Sequence, residues 1–169
     1  MNYRHQTPFR VLAVALTSRG LGYAVLEGET SLIESSRTSV RNGDKNSQSF
    51  AKVKKLTAFY RPGALILQDV TAKDSRRKPR IKALHREVTR LAAKLGLSVN
   101  LISEKQLRSL LLGNAGGTKH EMAEMLAKRF PEELAFRLPP KRRLWQSEDS
   151  RMDIFDAVAL ALAFRIKGK

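Results

Sequence analysis

Residues 150–164, SRMDIFDAVALALAF, are apolar on nearly every side of a helix. A helix of that kind has to be enclosed, so the rest of the chain must build layers around it. Its opening turn carries Asp153 and Asp156, three residues apart and therefore on one helical face. Two carboxylates held that close repel unless a cation or a proton lies between them. One reading makes Asp153 and Asp156 ligands of a divalent metal. The other makes them helix-start acids: Ser150 and Asp153 have the spacing of a capping box, and the helix dipole favours negative charge in a first turn. Asp156 fits the second reading less well, because it lies one turn further in, between Phe155 and Ala157.

Composition narrows what surrounds the helix. A chain of 169 residues with 42% hydrophobic content is long enough to bury a core as one domain. Its 32 Lys and Arg against 16 Asp and Glu give a net charge of +16, which favours phosphate-rich partners. No apolar run reaches the length of a membrane span, and residues 1–9, MNYRHQTPF, lack the apolar core of a signal peptide and read as a flexible tail. The absence of cysteine excludes disulfides, thiolate zinc sites and a cysteine nucleophile. These features lead us to expect a soluble, cytoplasmic protein with no membrane partner.

Three strands are expected over residues 10–17, 21–26 and 31–40, separated by the turn signals Ser18-Arg19-Gly20 and Glu27-Gly28-Glu29. Residues 42–49 read as polar loop, followed by a helix ending at Pro62-Gly63, and residues 64–70 as a central strand. Pro79 opens a periodic helix that stops at Gly96, and residues 97–102 form a further strand. Ser103 with Gln106, and Thr118 with Glu121, have capping-box spacing ahead of two more helices. Residues 131–149 read as irregular and basic. The order predicts a single α/β domain over residues 1–169: three antiparallel strands, then two parallel ones, in a mixed sheet with helices on both faces.

Four motifs in this order resemble those of the RuvC family of Holliday-junction resolvases, which have an RNase H-like fold. Arg19-Gly20-Leu21-Gly22-Tyr23-Ala24-Val25 resembles the family's turn after its first strand. Pro62-Gly63-Ala64-Leu65-Ile66-Leu67-Gln68-Asp69-Val70 resembles the strand bearing its second carboxylate. Leu111-Leu112-Gly113-Asn114-Ala115-Gly116-Gly117-Thr118-Lys119 resembles its glycine loop leading to a lysine, and Asp153-Ile154-Phe155-Asp156-Ala157 its closing acidic pair. The resemblance implies phosphodiester cleavage with two divalent ions, magnesium or manganese, and often a homodimer that pairs two sites across a junction. It implies a site contact for Lys119, whose alternative is an exposed first-turn lysine.

The departures bear on that chemistry. The family's first-strand aspartate falls on Ala15, and Glu27 is the first acidic residue of the chain. The family's central-strand glutamate falls on Gln68, with Asp69 beside it; alternation along a strand turns Asp69 to the opposite face unless a bulge intervenes. The implied consequence is a degenerate centre with weak or absent metal binding.

Nucleic-acid binding does not depend on catalysis. Lys82, Arg86, Arg90 and Lys94 recur every four residues on one helix face, either as a basic ridge or as an ordinary solvated surface. The loop Arg76-Arg77-Lys78 leaves the central strand at the end where the family's site lies, and Arg80 follows it as a further nucleic-acid-binding candidate. A second cluster, Lys141-Arg142-Arg143 with Trp145, precedes the acidic helix; Trp145 either stacks on an unpaired base or covers the core edge. Three functions follow. The first is a RuvC-like protein that binds branched or duplex DNA with a degenerate centre. The second is an active metal-dependent junction endonuclease using Asp69, Asp153, Asp156 and Lys119. The third is a scaffold for RNA or an acidic protein.

Overall fold

Strands β1 (Arg10–Thr17) and β2 (Gly20–Glu27) are joined by the two-residue turn Ser18-Arg19, with Thr17 opposite Gly20. A computed structural model describes residues 8–71, 78–114 and 116–168. β2 pairs antiparallel with β3 (Ser31–Ser39), and β1 pairs in parallel with β4 (Ala64–Gln68), which pairs in parallel with β5 (Ser98–Ile102). The sheet order is β3-β2-β1-β4-β5. This is the expected mixed sheet, with both of its faces covered.

Side-chain alternation divides the core into two layers. Val11, Ala13 and Ala15 of β1, with Ala64 and Ile66 of β4, pack against α6 (Met152–Lys167), which is flanked by α3 (Glu104–Leu112), α4 (Lys119–Arg129) and the short α5 (Pro131–Leu134). Leu12, Val14, Leu16, Leu65 and Leu67 point the other way, onto α1 (Lys45–Tyr60) and α2 (Pro79–Lys94). The small residues on the α6 face let that helix lie close to the sheet. Its own side chains from Met152 to Ala163 are buried, apart from the partly buried Asp156. No helix among the described residues is long and apolar enough to cross a membrane.

Local sequence accounts for most boundaries. α1 starts at Lys45, earlier than its apolar spacing indicates, because the Asp44 side chain accepts from the Ser47 amide and caps it. Both capping boxes, Ser103 with Gln106 and Thr118 with Glu121, form as expected. The basic stretch after α4 contains α5 and a 3-10 turn at Ala135–Arg137 before it becomes irregular.

Helix and sheet approach each other closely at Gly22. A Cβ there would sit 1.9 Å from the backbone oxygen of Asp153, so no side chain fits without moving α6. Gly22 pairs with Ala15 on one side and Arg37 on the other, so the opening turn of α6 rests on a row running arginine, glycine, alanine. Gly22→Ala should therefore destabilise the protein by roughly 1–3 kcal/mol or more, as expected of overpacking, measured as a lower urea midpoint. An unchanged midpoint would show that α6 is not seated there.

Candidate functional site

Asp153 does not cap its helix. The first turn has no side-chain cap, and the contact with Ser150 runs from the Asp153 amide to the Ser150 carbonyl at 3.2 Å. The Gly22 approach instead presses the carboxylate into the protein, where it is 1% exposed. There it meets Arg19, which donates to Oδ1 at 3.1 Å, and Arg37, whose Nε lies 3.9 Å from Oδ2. The Thr17 hydroxyl donates weakly to Oδ2 at 3.4 Å. Burial pushes the Asp153 carboxyl above the usual range, and the two guanidiniums oppose that push.

Asp156 points the same way one turn on, where Lys119 Nζ reaches its Oδ2 at 3.3 Å. Lys119, for which the resemblance implies a site contact, occupies the first position of α4 behind the Thr118 capping box. The same ammonium lies 3.4 Å from Oε2 of Glu148, a residue on the loop entering α6. Arg19 closes the loop: its NH1 donates to the Glu148 carbonyl at 2.8 Å and its NH2 lies 3.8 Å from Oε1. One oxygen from each of Glu148, Asp153 and Asp156 lies within 4.8 Å of the others. The Asp156 pKa rises from 3.8 to about 6; burial is the main cause, the Lys119 charge lowers it, and Glu148 and Asp153 raise it.

Sequence reasoning missed Arg19, Arg37 and Glu148. Arg19 was visible only as a turn residue, and Arg37 becomes significant only through its cross-strand pairing with Gly22. Glu148 had one available signal, an acid beside Asp149 and five residues ahead of Asp153, following the basic run 141–143.

Asp69 does not join the acidic trio. Gln68 pairs with Ile102 of the α6-side core, which turns Asp69 from that face. Its Oδ1 accepts from the Thr71 amide at 2.9 Å and the Thr71 hydroxyl at 2.6 Å. His85 is buried with Nε2 3.0 Å from the Gln68 carbonyl oxygen. Burial lowers its pKa, with opposing contributions from that hydrogen bond and the Asp69 charge.

Among the described residues, the side chains at the start of α6 do not supply the charge and donors that a two-metal centre takes up. Two divalent ions bring four positive charges and need oxygen donors. Among the described residues three carboxylates lie together at this turn, and the cations Arg19, Arg37 and Lys119 already lie against them. Ala15, on the α6 face of β1 opposite Gly22, supplies no ligand.

The basic candidates are dispersed. Arg76 and Arg77 lie outside the described residues, and Lys78 is exposed at the start of α2. Arg80 bridges two elements, with NH1 donating to Asn46 Oδ1 at 2.7 Å and NH2 to the Ser18 carbonyl at 3.2 Å. Lys82 is half-buried, whereas Arg86, Arg90 and Lys94 are exposed along α2. Arg142 and Arg143 are exposed, and Trp145 is 77% exposed, so it does not cover the core edge.

No protein-family model matches the sequence, and no curated protein matches it. In structure the chain is similar to RuvC of Thermus thermophilus, with a TM-score of 0.70 and 17% identity over 95% of each chain. It is also similar to the yeast mitochondrial Holliday junction resolvase, with a TM-score of 0.65 and 14% identity over 94% of this chain and 78% of that one. The fowlpox virus Holliday junction resolvase matches with a TM-score of 0.62 and 11% identity, over 95% of this chain and 100% of that one. At these identities the likeness establishes a fold: an RNase H-like α/β fold of the RuvC type.

The raised Asp156 pKa has a consequence for stability. Below pH 3.8 folded and unfolded states both hold the proton; between 3.8 and about 6 only the folded state does, so stability falls as pH rises through that window. Asp156→Asn removes the ionisation and should raise stability at pH 7.5 by about 1–3 kcal/mol. The gain should disappear as the pH falls to about 4. Urea unfolding across this range checks it; an equal effect at every pH would refute the titration.

Proposed function

We propose that this chain is a DNA-binding protein of RuvC-like fold that engages branched DNA and has lost two-metal cleavage. One observation carries the loss: the three carboxylates at the start of α6 are neutralised by Arg19, Arg37 and Lys119, while Ala15 lies under the same turn. Binding is supported by the net charge of +16 and by exposed lysines and arginines on α2 and the loop before α6. The similarity to Thermus thermophilus RuvC and fowlpox virus resolvase, each with a structure in complex with a Holliday junction, points to the same ligand class.

Binding in this scheme is electrostatic positioning along the phosphate backbone. Lys78, Lys141, Arg142 and Arg143 make phosphate contacts and release counterions, whereas Arg80 positions neighbouring elements. The acidic trio faces the DNA with its charge internally matched, so it neither repels phosphate strongly nor activates water.

The spacing of Glu148, Asp153 and Asp156 favours a second reading, a metal-dependent junction endonuclease with Glu148 in the place expected for Asp69. Labelled four-way junction and duplex DNA, incubated with magnesium or manganese, distinguish the two. The proposal expects no cleavage, and binding that weakens roughly 10³-fold between 50 and 200 mM salt if about six phosphates are neutralised. Cleavage abolished by Asp156→Asn would establish the second reading. Absence of DNA binding at low salt would reject both.

A further inference from the structure

The segment between α5 and α6 leaves the core at the buried Pro139 and returns at Glu148, which is anchored by Arg19 and Lys119. Every residue from 140 to 147 is exposed. At its tip the Gln146 amide donates to the Arg143 carbonyl at 3.0 Å, and the Arg143 amide donates to Gln146 Oε1 at 3.0 Å. These two bonds close a turn whose corners are Leu144, 101% exposed, and Trp145, 77% exposed. The Arg143 guanidinium lies 5.5 Å from the indole centroid. Two adjacent large apolar side chains in water at the tip of a closed turn are costly to keep there, which marks a contact surface. The charge around them selects the partner, since Lys141, Arg142 and Arg143 precede the pair directly and favour a polyanion.

We infer that Leu144 and Trp145 form a wedge that stacks on exposed bases at the open centre or unpaired segment of branched DNA, while Lys141, Arg142 and Arg143 hold the adjoining phosphates. This rests on the DNA-binding reading and supplies what that reading lacks, a means of preferring branched over fully paired DNA. Apolar side chains insert at base steps that are already unstacked more cheaply than into an intact duplex. An indole stacks on any base, so the wedge reads structure and not sequence. The clamp at Glu148 ties its base to the acidic centre, so the wedge meets DNA beside the start of α6.

Trp145 is the sole tryptophan of the chain, so its emission reports on the contact directly. The full-length protein would be titrated with an end-labelled four-way junction, a duplex with a central bubble and a fully paired duplex of equal length, following label anisotropy and tryptophan emission together. The expected result is strong quenching by junction and bubble and little by the paired duplex. Long-chain polyphosphate, which has charge but no bases, should leave the emission unchanged. Trp145→Ala should reduce the junction-to-duplex affinity ratio by roughly 10-fold, and Trp145→Phe should retain most of it. DNA binding by anisotropy with equal emission changes for junction and duplex would overturn the wedge and leave the DNA-binding reading standing. Equal quenching by polyphosphate would overturn it, as would an emission shift on phosphatidylglycerol vesicles with none on DNA. No DNA binding at all would overturn both readings.

Discussion

A carboxylate 1% exposed at the beginning of a buried helix has to be neutralised by its surroundings, and in this protein the sheet supplies the charge. Seating α6 on the bare backbone of Gly22 places Asp153 between Arg19, from the first hairpin turn, and Arg37, from the edge strand β3. Removing a partner from a buried ion pair costs about 3–5 kcal/mol. Helix position, hairpin geometry and the β2–β3 register are therefore coupled through one ion-pair cluster. The same cluster reaches Glu148 through Arg19 and Asp156 through Lys119, which ties in α4 and the basic loop.

On the proposed reading, that coupling lets an RNase H-like fold of the RuvC type hold its acidic centre together without bound divalent ions. Carboxylates brought together at one end of a sheet repel, and the repulsion must be offset if the first turn of α6 is to pack. Divalent ions are one solution. Fixed guanidinium and ammonium groups are another, and they act as permanent parts of the fold. The exposed basic residues of α2 and of the loop before α6 are left to meet a polyanion, since few of them are occupied by this cluster.

The fold was legible because its signals are local. Capping boxes at Ser103 and Thr118, Pro79 at a helix start and the turn signal between β1 and β2 each depend on residues within one or two turns of each other. The early start of α1 was missed because a single aspartate, Asp44, decides it. The site was only partly legible. Asp153, Asp156 and Lys119 could be named from motif spacing, yet the Ser150–Asp153 spacing also suggested a capping box that does not form. Which of those readings prevails depends on Gly22, more than a hundred residues earlier in the chain. Arg19 and Arg37 gain their roles by tertiary pairing alone, with no pattern in the sequence to mark them, and Glu148 is marked only by its place five residues ahead of Asp153.

The central claim is that fixed cations stand where divalent ions would otherwise be needed, and manganese binding tests it most directly. Isothermal titration of the native protein with Mn²⁺ at pH 7.5 should show no site of micromolar affinity. Arg19→Ala, if it folds, or otherwise Lys119→Met, should acquire measurable Mn²⁺ binding, because the substitution frees carboxylate charge. A stoichiometric micromolar Mn²⁺ site in the native protein, lost in Asp156→Asn, would contradict the account.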